Sequence, residues 1–154
     1  MIALERGQLG VMRVHALIVG VFIVAVALVA EAILHTAVAD LVFGAIGLPV
    51  LLLIAYPVLA APPRRYRAWG YRIDAEELHI AHGVWTRVET VVPLARVQHI
   101  DVSQGPIERN FGVSRLVLHT AGTMHSRVVL PGLSRETAET IRDEVRARIR
   151  EDTL

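Results

Sequence analysis

The stretch VHALIVGVFIVAVALVAEAILH, Val14 to His35, followed after TAVAD by LVFGAIGLPVLLLIAYPVLAA, Leu41 to Ala61, decides the fold. The first part carries no charge from Ala16 to Ala30 and continues past a lone Glu31 as Ala32, Ile33 and Leu34; the second carries none from Leu41 to Ala61. About 20 mostly apolar residues of α-helix are enough to cross the roughly 30 Å hydrocarbon core of a bilayer. Residues 14–61 are therefore read as a two-helix transmembrane hairpin, with His35 to Asp40 as its turn.

Composition around this stretch agrees. Of 154 residues, 53% are hydrophobic and 20% charged, with a mean hydropathy of +0.47. That is too apolar for an ordinary soluble domain, and nearly all the charge lies outside 14–61. A net charge of +1 makes no case for nucleic-acid binding, which needs a basic stripe. The absence of cysteine excludes disulfides, thiolate metal sites and cysteine nucleophiles.

Residues 1–13 are expected to form a short cytoplasmic N-terminus. The apolar run after them is longer than a signal-peptide core and a second one follows at once, which favours a retained anchor. Arg6 and Arg13 precede the first helix, Arg64, Arg65, Arg67 and Arg72 follow the second, and the turn has no arginine. Arginine near membrane ends is held on the cytoplasmic side, so the expectation is a multi-pass inner-membrane protein with both termini cytoplasmic.

Within the hairpin, Gly44, Ala45 and Gly47 are small enough to let helix backbones approach, Pro49 and Pro57 are expected to bend the second helix, and Tyr56 fits an interfacial aromatic. Glu31 and His35 share a helix face at i and i+4. Either they form a proton or ion relay, since ionisable groups at membrane depth are costly, or they sit at the outer helix end within reach of headgroups and water.

At Ala61 the pattern changes. Pro62 and Pro63 are expected to end the helix. Arg64, Arg65 and Arg67 then form a juxtamembrane basic patch beside Tyr66 and Trp69, suited to fixing topology and to meeting anionic lipid. The rest, 62–154, reads as one cytoplasmic domain. Strand signals cover Ala68 to Ile73, Glu77 to Ala81, Thr86 to Val92, Arg96 to Val102, Ser114 to Thr120 and Ser126 to Leu130. Asp74 to Glu76, His82-Gly83 and Ala121 to Thr123 supply turns. Six short strands without long helices between them predict an antiparallel sandwich or barrel.

Gln104 to Gly112 lacks alternation. Pro106 suits a first helical turn, Gly112 suits the position past its end, and Ile107 with Phe111 would cover one side of the core. The last segment is a helix with Ser134 as N-cap, Glu136 in its first turn and Leu133 stapled onto Ala138. Ala138, Ile141, Val145 and Ile149 make its apolar stripe, opposite Arg142, Glu144, Arg146 and Arg150, and should pack across the sheet.

The segment from Arg96 through Gln98, Asp101, Gln104, Pro106, Arg109 and Phe111 to Gly112, then Leu116 to Gly122 and Leu130 to Gly132, resembles the bacterial pleckstrin-homology-like (PH-like) membrane proteins of the YdbS type. Pro93-Leu94 ahead of Arg96-Val97-Gln98, with Trp69, Tyr71 and Gly83 upstream, matches the same pattern. The resemblance spans about Arg65 to Arg148. It implies an α+β membrane protein: a transmembrane hairpin followed by a bent antiparallel sheet of about seven strands, capped by the C-terminal helix. Eukaryotic PH domains bind phosphoinositides through a basic loop between their first two strands. Here that loop is the acidic Asp74 to Glu77, which argues against such binding.

Catalysis finds no support. His79, His82, His99, His119 and His125 do not assemble a ligand set, since His79 and His82 point to opposite faces of one strand. Ser103, Ser114, Ser126 and Ser134 lack a nucleophile elbow, and no phosphate cradle occurs. No cofactor and no enzymatic activity are expected. Arg96, Gln98, Asp101, Gln104, Arg109 and Asn110 concentrate in one strand and the next turn. They either line a partner groove, with Arg109 offering a bidentate fork, or satisfy backbone groups around an irregular loop. An exposed sheet edge is a further route to a partner. The expected function is a membrane-anchored binding or scaffold module acting on a protein partner or on copies or relatives of itself. The alternatives are an accessory of a transport or export system using Glu31 and His35, or an anionic-lipid sensor using Arg64, Arg65 and Arg67.

Overall fold

In the computed structural model the chain order is α1 (Gly7–Ala37), α2 (Gly47–Ala68), β1 (Gly70–Ile73), β2 (Glu77–His82), β3 (Val88–Pro93), a single 3-10 turn (Leu94–Arg96), β4 (Val97–Ser103), α3 (Pro106–Asn110), β5 (Val113–Thr120), β6 (Arg127–Ser134) and α4 (Arg135–Glu151). The structure describes residues 1–38, 42–121 and 127–151, the last four of these by backbone only. Asp40 and Leu41, the Gly122-Thr123 turn, His125 and Ser126, and the side chains of Ile149 and Arg150 lie outside the described residues.

Two units result: residues 12–63, and residues 1–11 together with 64 onward. The first is the helical hairpin. Both helices are long and apolar enough to cross a membrane, and little of either apolar window is buried within the protein. A core helix of a soluble protein would be mostly buried, and these two are not.

Several local expectations for the hairpin are corrected. Residues 43–46 form a turn and α2 begins at Gly47, so Gly44 and Ala45 belong to the connection rather than to a helix contact. Gly47 does allow close approach as expected, since a Cβ there would lie 2.8 Å from Leu28, and Gly20 adds a second such point, where a Cβ would lie 2.8 Å from a Val58 methyl. Pro49 falls in the first turn of α2, where its missing N–H costs nothing. Pro62 and Pro63 do not end α2, which continues to Ala68 with Pro57, Pro62 and Pro63 inside it. Proline supplies a helical φ, and a membrane helix tolerates the lost donors when neighbouring groups compensate.

The second unit holds two antiparallel three-stranded sheets, ordered β1-β2-β3 and β4-β5-β6. Six strands therefore stand among the described residues where the resemblance implied about seven. Leu78 and Ile80 of β2, two residues apart, share a face with Tyr71 and Val92, and they join Ile100, Leu116, Leu118 and Leu130 of the other sheet in one buried cluster. Ala138, Ile141 and Val145 of α4 complete it, so the helix packs on the second sheet as its stripe predicts. Ser134 caps α4 by accepting the Thr137 N–H at 3.0 Å.

β6 runs past its expected end at Leu130 to Ser134, carrying Pro131 within it. A proline without a donor is tolerated because β6 is an edge strand. That edge is where the N-terminal residues attach. Ile2 bridges Tyr71 of β1 through N–H···O bonds of 2.6 and 3.0 Å, and the Glu5 N–H donates to the Gly132 carbonyl of β6 at 2.8 Å. The first residues thus tie the outer strand of one sheet to the outer strand of the other.

Candidate functional site

The turn from Ser103 to Val113 is built around Glu108. Pro106 starts α3 at the position where an N–H would be unsatisfied, and Glu108 follows at the third helical position. Its carboxylate accepts the Gly105 N–H at 2.6 Å and both Nε (2.8 Å) and Nη2 of Arg115 on β5. Glu108 is buried although it is acidic, because these three donors replace water. Gly112 leaves α3 with φ +66°, a left-handed conformation that suits glycine. Ile107 and Phe111 are half-buried and stand outside the buried core cluster.

Beside this turn lies a cleft of about 290 Å³ lined by Val102, Gln104, Arg109, Ser114, Arg135, Glu139 and Arg142. Three arginines against one glutamate make it cationic. Arg135 Nε is 2.9 Å from Glu139, and Arg142 Nε is 2.8 Å from Asp143. The hydrogen bond in the second pair holds the Asp143 carboxyl below its ordinary range and pushes the Arg142 guanidinium up. Arg109 is exposed, and its guanidinium makes no hydrogen bond or ion pair among the described residues. Ser114 is 1% exposed and its Oγ has no hydrogen-bond partner among them. A register shift between Ser114 and Leu116 accompanies this placement, as a bulge re-aims a side chain.

The residues singled out from sequence divide. Gln104 and Arg109 come together in the cleft. Gln104 Nε2 is also spent on the Val113 carbonyl at 2.9 Å, a structural tie. Asn110 is exposed at the end of α3. Arg96 and Gln98 are exposed outside the cleft lining, on the 3-10 turn and β4. Asp101 is engaged elsewhere: His99 Nε2 lies 2.8 Å and His119 Nε2 3.6 Å from its carboxylate, across the β4-β5 pair. Among the described residues no group of three or more His, Cys, Asp or Glu could hold a metal ion. Sequence reading missed Ser114, Arg135 and Arg142 as neighbours because they meet only in space. Pro106 followed by an acidic residue in the first helical turn was the signal that could have found Glu108.

Arg64, Arg65 and Arg67 are exposed at the end of α2, while Tyr66 between them turns inward and donates its hydroxyl to the Leu4 carbonyl at 2.8 Å. In the hairpin, Glu31 is buried and accepts the N–H of Gly44 and, at 2.8 Å, that of Gly47, and His35 packs its ring on Phe43 at 5.4 Å.

Residues 8–149 match the family model described as Bacterial PH domain. The transmembrane protein YdbS of Bacillus subtilis (strain 168) is 33% identical over 113 residues, 72% of this chain and 69% of that protein. The transmembrane protein YdbT of the same organism is 31% identical over 116 residues, 73% of this chain but 23% of YdbT. No solved structure matches the chain. The match begins inside α1 and runs through both apolar helices to α4, and the relatives are transmembrane proteins: this chain belongs to the bacterial PH domain family, with α1 and α2 as its transmembrane helices.

Proposed function

We propose that this chain is a non-enzymatic, membrane-anchored binding module whose PH-like domain takes an acidic segment of a protein partner into the cleft formed by α3, β5 and α4. The observation that carries the reading is the Arg109 guanidinium, unpaired among the described residues, lining that cleft with Ser114. A guanidinium fork matches a carboxylate bidentately, so an acidic side chain entering the cleft would answer Arg109. A space of about 290 Å³ suits a side chain better than a large metabolite. The arginine asymmetry supports a cytoplasmic-membrane location with the termini, and hence this cleft, on the cytoplasmic side.

Crosslinking and affinity purification of the full chain from native membranes test this. A stoichiometric partner that is recovered with the unmodified chain and lost with Arg109→Ala supports the reading; an unchanged partner set in both Arg109→Ala and Ser114→Ala sinks it. The competing transport role for Glu31 and His35 has less support, because the Glu31 carboxylate is already engaged by backbone donors.

A further inference from the structure

The β2-β3 connection, Gly83-Val84-Trp85-Thr86-Arg87, ends in the most exposed aromatic described in the protein: Trp85 is 96% exposed, with Val84 and Val88 exposed beside it. An indole in full contact with water, at the tip of a hairpin and flanked by apolar side chains, is an unpartnered surface. The turn is built to hold it there. Gly83 adopts φ +106°, and a Cβ at that position would collide with the Thr86 carbonyl, so only glycine fits the bend.

The register identifies what lies nearby. β1 begins at Gly70, directly after α2 ends at Ala68, and Gly70 pairs with Ala81. The β2-β3 connection therefore stands at the end of the sheet where the chain arrives from its second transmembrane helix. Trp69 stacks on His82 with ring centroids 4.8 Å apart, which fastens that arrival point to the start of the loop. Arg87 lies within the loop and is exposed, Glu89 follows on β3, and Arg64, Arg65 and Arg67 are exposed on the last turns of α2, a few residues before β1 begins. Exposed apolar and indole groups with an arginine in the same loop, on a strand pair that follows an arginine-rich helix end, match the chemistry of a bilayer interface, where tryptophan sits at headgroup level and arginine meets anionic lipid.

We infer that the Val84-Trp85 tip inserts into the headgroup region of the membrane that carries the chain, making a third attachment point beside the two helices. The inference rests on the membrane helices and is independent of the partner cleft.

Because the chain has no cysteine, a nitroxide placed at Val84→Cys reports on the loop in the full-length protein reconstituted into phosphatidylethanolamine–phosphatidylglycerol vesicles, with Asp143→Cys on α4 as the aqueous reference. The expected result is loss of accessibility to a water-soluble nickel chelate together with a gain in accessibility to oxygen, relative to the reference site. Accessibility to the chelate equal to that of the reference overturns the inference, and so does protection from both reagents, which means a protein surface covers the loop. Trp69→Phe leaves Trp85 as the sole tryptophan and keeps the loop intact. Its emission is expected to shift to the blue and to be quenched by brominated phospholipid; emission typical of a fully hydrated indole, without quenching, overturns the inference.

Discussion

The carboxylate of Glu31, near the end of α1, accepts the backbone N–H of Gly47, the first residue of α2, at 2.8 Å, and that of Gly44 in the turn between them. The first N–H groups of a helix have no partner within it, and in or near lipid little water is present to serve them. Glu31 is thus a cap supplied from another helix. Glu31→Ala is expected to lower the thermal unfolding midpoint of the detergent-solubilised chain by several degrees, and Glu31→Gln, which keeps one acceptor, by less. An unchanged midpoint in both variants, with function lost, would restore the relay reading.

Glu108 serves the α3 turn in the same manner. Glu108→Ala leaves the Gly105 N–H and the Arg115 guanidinium without their acceptor, and a loss of about 2 kcal/mol is expected. Denaturant unfolding of the variant checks this, and Glu108→Gln should recover part of the loss.

Arg109 should behave in the opposite sense. Its guanidinium is exposed and unpaired among the described residues, so Arg109→Ala is expected to change stability by no more than about 0.5 kcal/mol while removing the partner. Arg109→Lys keeps the charge but not the fork and should restore binding only in part. Equal loss of stability and binding would indicate a structural role instead.

Tyr71 gives the domain an alkaline limit. Its burial, and then the negative charge of Glu5, raise the phenol above its ordinary value of about 10. A raised acid binds its proton longer in the folded state. Its contribution is fully present below the unfolded value and is lost as pH rises through the folded one. Unfolding midpoints should therefore fall more steeply above about pH 10 in the unmodified chain than in Tyr71→Phe.

A core truncation offers a reference for these effects. Leu116 is fully buried between the sheets and α4, so Leu116→Ala is expected to cost about 2–5 kcal/mol, read by the same denaturant titration.

Features that depend on a residue and its near neighbours were legible in the sequence. The two apolar runs, the six strands, the Pro106 to Gly112 turn and the Ser134 cap all follow from hydropathy, alternation or capping chemistry within a few positions. Local signals failed at two helix prolines and at one strand. α2 passes through Pro62 and Pro63, which local rules read as its end, and β6 keeps Pro131 because it lies on an edge.

By itself, then, the sequence determined a membrane hairpin followed by a strand-rich domain with a capping helix, since burial in lipid and the alternation of a sheet are written in the order of apolar residues. Only the tertiary structure decided that Ile2 and Glu5 join the outer strands of the two sheets, that Glu31 caps a second helix, and that Arg109, Ser114, Arg135 and Arg142 share one cleft. These partners stand far apart along the chain. No periodicity records which surfaces meet once the backbone has turned.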